Sequence, residues 1–183
     1  MTVSVEPREF RYVMFDAAEI ERALVDVLEL VGFAARDVHL SIDEASTLAA
    51  IRAEERADGS LLLSAGSGAF EDTRRLRSFS PSVTATNVGR VLMRVGDRAD
   101  GSFADAPADA ELTRAQMAAW DTYSMGRLAR RGLAVHPPRW RYAFRNRYGF
   151  SDETDIAFDR LWNATQLTWA TLVAISETAA SLR

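Results

Sequence analysis

The sequence predicts an α+β fold: a small mixed or antiparallel sheet with a flanking helix in the N-terminal half, and a helical C-terminal half packed on it. Three observations predict it. The cleanest period-two alternation, Val38, Leu40 and Ile42 set between His39, Ser41 and Asp43, lies early in the chain. From Thr113 onward the apolar spacing is helical. Between these regions, residues 97–110 (DRADGSFADAPADA) hold Gly, Pro, Asp and Ala without any period and read as a linker. The expected organisation is therefore a strand-containing part at 1–96, the linker, and a helical part at 111–183, together forming one compact domain.

Each element has its own local reason. Phe10 to Phe15 is rich in aromatic and β-branched residues and reads as a strand. Asp16 with Glu19 three residues on reads as an N-cap and capping box. Ile20, Leu24, Val27, Leu28 and Val31 then form one helical stripe, and Gly32 supplies the left-handed residue that closes it. Residues 44–57 fit either a helix by composition or a strand by the alternation of Ala49, Ile51 and Ala53. Asp58-Gly59 before Leu61-Leu62-Leu63 favours a hairpin. Val88, Val91, Leu92 and Val95 mark a helix that Gly96 is expected to end. Thr113 with Gln116 opens a helix running to Arg131. Pro137-Pro138 at the start and Gly149 at the end favour a helix over a strand for the aromatic stretch between them. Ser151 and Asp152 open a last helix expected to reach about Ala180 unbroken. It carries no charge from Leu161 to Ser176, and so is expected to be buried in the core or in a subunit interface.

Composition excludes several chemistries. The chain has 183 residues, of which 48% are hydrophobic and 26% charged, values ordinary for a globular protein. It has no cysteine, so disulfides, thiolate metal sites and thiol catalysis are excluded. All 22 basic residues are arginine, so Schiff-base and lysine general-base chemistry are excluded too. The first ten residues carry Glu6, Arg8 and Glu9 and do not read as a signal peptide, and no apolar run is long enough to span a membrane, so a cytoplasmic location is expected.

Charge is uneven. Residues 1–60 hold 13 acids and 6 arginines, while residues 122–183 hold 5 acids and 9 arginines. No acid occurs between Thr122 and Ser151, where seven arginines do. Within that run Arg139, Trp140, Arg141, Arg145, Arg147 and Tyr148 interleave guanidinium groups with rings, a pattern suited to an anionic partner. An acidic protein or a small anionic ligand is the expected partner. Nucleic acid is disfavoured by a pI near 5.3 and by the lack of a recognised motif.

The remaining candidates are weaker. His39 and Asp43 share one strand face, and His136 precedes the two prolines. With Ser41 between them, His39 and Asp43 cannot form a Ser-His-Asp relay alone, because side chains two apart on a strand are too far from each other, but they could join groups from elsewhere; His136, in a loop among arginines, could serve as a general base. No spacing suggests a metal, and no cofactor is expected. Gly66-Ser67-Gly68 lacks the third glycine of a dinucleotide loop and reads as a turn. The expected function is an intracellular binding or regulatory protein, oligomeric with itself, that presents the Arg/aromatic segment. The alternatives are a small-molecule hydrolase or lyase using a histidine and a carboxylate, with Trp120 or Tyr123 lining its pocket, or a structural subunit of an assembly.

Overall fold

The computed structural model describes residues 2–33 and 35–181; Met1, Ala34, Leu182 and Arg183 lie outside the described residues. The fold class is α+β, and the chain divides into two compact units, Met1–Leu92 and Met93–Arg183.

In the first unit, β1 (Val3–Glu6), α1 (Ala17–Val31) and β2 (Val38–Asp43) are followed by a hairpin of β3 (Ile51–Glu55) and β4 (Leu61–Gly66). The sheet order is β1-β2-β4-β3, with β1, β2 and β4 parallel and β3 antiparallel to β4. The hairpin turns at Gly59, whose φ of 81° suits glycine, as Asp58-Gly59 predicts. One face of the sheet carries Val5, Leu40, Leu61 and Leu63, all fully or almost fully buried. Helix α1 packs its stripe of Ile20, Leu24, Val27 and Leu28 on that side. Asp16 caps it by accepting from the Glu19 N–H, and Gly32 closes it at φ 82°. The opposite face holds Ser4, Glu6, His39, Ser41, Asp43 and Ser64 together with Leu62 and is mostly polar.

Two expectations are corrected here. Phe10 to Phe15 is not a strand; among the described residues only Met14 bridges, to Ser78. Phe10 and Phe15 close on each other edge to face at 5.5 Å, and the Arg11 and Tyr12 N–H groups donate to the Glu44 carboxylate, so the segment bends where a strand would need a ladder partner. The strand that does form, β1, has only the four residues VSVE. After β4, Gly66 and Gly68 lie against the backbone of 46–48. A Cβ on Gly68 would meet the Thr47 carbonyl oxygen at 2.1 Å, which is why small residues stand there. A turn of helix at Ser67–Ala69 and a short ladder of β5 (Glu71–Asp72) and β6 (Arg75–Phe79) lead to α2 (Pro81–Ala99). Gly96 does not end α2; the helix continues to Ala99, and Gly101 takes the positive φ of 84°.

The second unit is helical: α3 (Arg114–Arg130), α4 (Pro137–Tyr148), α5 (Asp152–Asn163) and α6 (Trp169–Ser181). Thr113 and Gln116 form a full capping box on α3, and Pro137 and Pro138 occupy the first turn of α4. Residues 97–110 belong to this unit: Phe103 is fully buried and stacks on Trp120 at 4.6 Å. Helices α3 and α5 approach so closely that a Cβ on Gly126 would sit 2.0 Å from the Trp162 carbonyl oxygen.

The long last helix is also corrected, because it breaks into α5 and α6. The Arg130 guanidinium donates to the carbonyls of Trp162 and Ala164, 2.5 Å each, which satisfies the end of α5. Thr168 then caps α6, accepting from the Thr171 N–H at 3.3 Å. Helix α6 is not buried all round; it hides Leu172, Ile175, Ser176 and Ala179 and leaves the rest at least partly exposed. No helix among the described residues is long and apolar enough to cross a membrane.

Candidate functional site

The residues singled out in the sequence fall in separate places. His39 lies on β2 in the first unit, while His136 is exposed before α4 in the second. Asp43 accepts from the Ala45 N–H at 3.1 Å and shapes the turn after β2, whereas the His39 ring is engaged by Ser4. Among the described residues no three His, Asp or Glu side chains gather as a metal site.

The Arg/aromatic segment forms α4 as expected, but its groups do not share one fate. Tyr148 is 1% exposed, and its hydroxyl bonds to the Ala115 carbonyl at 2.5 Å and to Ser176 at 2.8 Å. Its ring is therefore a core group and not a stacking platform. Trp140 is half-buried against the same core. Arg141 pairs with Asp155 and Asp159, and Arg145 pairs with Asp155. The hydrogen bond from Arg145 holds the Asp155 carboxyl below its ordinary pKa, helped by Arg141. These two arginines thus tie α4 to α5. Arg139 is exposed and Arg147 half-buried, and neither takes part in an ion pair among the described residues. Tyr142 and Phe150 are 60% and 63% exposed and meet edge to face at 5.8 Å, with Arg145 6.0 Å from the centre of the Phe150 ring. A shallow hollow of about 350 Å³ lies between Pro137, Pro138, Arg141, Tyr142 and Arg145.

A larger and more polar hollow, about 630 Å³, opens elsewhere in the second unit. Its walls come from the turn after α2 (Asp100, Ser102), from α3 (Tyr123, Arg127), and from the α5–α6 connection with the start of α6 (Thr165 to Thr168, Thr171). The centre of its wall is locked from behind. Asp97, 2% exposed, accepts two hydrogen bonds from Arg127, at 2.7 and 2.6 Å, and a third from the Trp120 indole N–H at 2.7 Å. The Arg127 guanidinium carbon also lies 3.8 Å from the centre of the Tyr123 ring. Such a bidentate, stacked arginine cannot swing away without leaving a buried carboxylate unpaired.

Tyr123 fastens the opposite wall. Its hydroxyl accepts from the Leu167 N–H at 3.1 Å and donates to the Thr165 carbonyl at 3.4 Å. Burial, aided by Asp97, pushes its pKa up against the pull of Arg127, so it works as a neutral donor and acceptor. The surface that remains is rich in hydroxyl and amide groups from Ser102, Thr165, Gln166, Thr168 and Thr171.

Sequence reading named Trp120 and Tyr123 only as pocket lining, and missed Asp97 and Arg127 as a pair. Asp97 stood in the supposed linker, and 30 residues separate it from Arg127, so no local pattern joins them. Compared with known proteins, the chain matches no family model, no curated protein and no solved structure.

Proposed function

We propose that the second unit binds a small polar ligand of no net charge in the hollow between Tyr123, Arg127 and the α5–α6 connection. The carrying observation is an open hollow of about 630 Å³ whose one lining arginine is held in place by the buried Asp97. That volume lies within the range of about 300–1,000 Å³ typical of small-molecule sites. The lining disfavours an anionic ligand, because Asp97 already offsets Arg127 and Asp100 adds a further carboxylate; the other polar groups are neutral and suit an uncharged hydroxyl- or amide-bearing molecule. A pre-formed polar wall reduces the ordering cost of binding. The test is saturation-transfer NMR with small uncharged amides and polyols on the wild-type chain and on Thr165→Val/Gln166→Ala, which alters two exposed wall residues. Saturation transfer that is present in the wild type and lost in the double variant is the expected result. Equal transfer to both proteins overturns the site.

A second reading concerns the α4 surface as a docking face for an acidic protein segment. The exposed Tyr142–Phe150 pair supports it, with Arg145 6.0 Å from the centre of the Phe150 ring and Arg139 and Arg147 on the same helix, as exposed rings on a cationic helix suit an apolar side chain bordered by carboxylates. Arg139→Glu/Arg147→Glu is expected to abolish capture of an acidic peptide bearing aromatic residues. Unchanged capture removes this reading.

A further inference from the structure

The polar face of the first unit's sheet carries a pair that neither binding reading uses. Ser4 on β1 and His39 on β2 are direct register partners in the parallel ladder. Ser4 Oγ and His39 Nδ1 lie 2.7 Å apart and share a hydrogen bond. Both are half-buried, and both line a hollow of about 170 Å³ together with Glu6, Ser41, Arg56 and Leu62. The lining carries one cation, Arg56, and one carboxylate, Glu6. A hydroxyl within hydrogen-bond reach of an imidazole, bordering a hollow, is the nucleophile–base contact that acyl transfer requires.

We propose that Ser4 and His39 form a nucleophile–base pair that hydrolyses small activated acyl esters. Ser4 Oγ attacks the ester carbonyl carbon as its proton passes to His39 Nδ1. The bond from the carbonyl carbon to the leaving oxygen breaks, and that oxygen takes the proton from Nδ1 and departs as the alcohol. Water then attacks the acyl-serine and gives a proton to Nδ1. The Oγ–carbon bond breaks, Oγ recovers the proton, and the acid is released. Arg56 supplies positive charge for the oxyanion formed in each half. The hollow is smaller than the range usual for drug-sized ligands, so the acyl group is acetyl-sized. His39 is reached by Ser4 from the neighbouring strand, which the wide spacing of Ser41 on its own strand does not allow.

The test uses the full chain and 4-nitrophenyl acetate, with acetyl adducts mapped by peptide mass spectrometry. His136→Gln and Ser64→Ala serve as controls outside the pair. The expected result is an acetyl adduct on Ser4 with a matching burst of nitrophenolate, both abolished in Ser4→Ala. In His39→Gln the burst is expected to slow by about 10²–10⁴-fold, with the controls unchanged. Circular dichroism verifies that each variant is folded, and the wild-type adduct is decisive on its own. No adduct on wild-type Ser4, an adduct on His39 instead, or equal turnover in Ser4→Ala overturns the proposal.

Discussion

Replacing Asp97 with Asn keeps the size of the side chain and an oxygen for the Trp120 indole, but removes the charge that faces Arg127. Asp97 is 3% exposed in its side chain and Arg127 14%, so water replaces the lost partner only in part. Removing one member of a buried ion pair costs about 3–5 kcal/mol. The lower end applies here, because Arg127 borders a cavity that water can enter. For a unit of this size, about 3 kcal/mol corresponds to a fall in Tm of roughly 12–24 °C. All four tryptophans, Trp120, Trp140, Trp162 and Trp169, belong to the second unit, so indole fluorescence in a urea titration follows that unit's unfolding. Asp97→Asn/Arg127→Met removes the orphaned cation as well and is expected to recover most of the loss, a coupling of about 2–3 kcal/mol in a double-mutant cycle. Asp105→Asn, exposed, serves as a control and is expected to change stability by less than about 0.5 kcal/mol. A cost under about 1 kcal/mol for Asp97→Asn, or additive single effects, would refute the claim that this pair locks the cavity wall.

Other outcomes are expected from the same structure. Gly126→Ala should gain about 1 kcal/mol from helix propensity alone, yet the Trp162 carbonyl at 2.0 Å from the added Cβ makes it destabilising by about 1–3 kcal/mol, so the sign of its urea midpoint shift decides. Tyr123→Phe strips the hydroxyl from between Leu167 and Thr165; a loss of about 1–2 kcal/mol and faster amide hydrogen exchange at Leu167 are expected. Two carboxylates with lowered pKa values make the second unit acid-sensitive. Asp155 is lowered by the Arg145 hydrogen bond. At Asp109 burial pushes upward, but the Arg94 and Arg98 charges and hydrogen bonds outweigh it. A depressed carboxylate stabilises the fold above its unfolded-state pKa, and that contribution disappears as pH falls through the lower folded-state value. Fluorescence-monitored urea midpoints should therefore fall as pH drops below the ordinary carboxylate range of about 4. The fall should be shallower in Asp155→Asn and Asp109→Asn than in the wild type.

Much of the fold was legible because its signals are local. The α1 stripe with Asp16 and Gly32, the Asp58-Gly59 hairpin and the Thr113–Gln116 box each act over a few residues, and each appears where the sequence predicts. What failed depends on distant partners. The four residues of β1 become a strand through parallel pairing with β2, 35 positions away, while the richer β-formers at Phe10 to Phe15 have, among the described residues, no ladder partner beyond one bridge. The break between α5 and α6 depends on Arg130 of another helix capping Trp162 and Ala164. The same limit governs the sites. Arg139 to Tyr148 stood out as a contiguous pattern, yet Asp155 and Asp159 from α5 engage two of its arginines. The Asp97–Arg127 lock and the Ser4–His39 pair are each built from segments with nothing in common along the chain.

The most direct measurement for the second unit's cavity is threonine-methyl NMR of the full chain titrated with the uncharged fragment that gives the strongest saturation transfer. Shifts confined to Thr165, Thr168 and Thr171, with the Trp120 and Trp169 indole signals following the same binding curve, are the expected result. Shifts at threonines of the first unit such as Thr47 and Thr84, or none at the three cavity threonines while the fragment binds, would contradict the assignment.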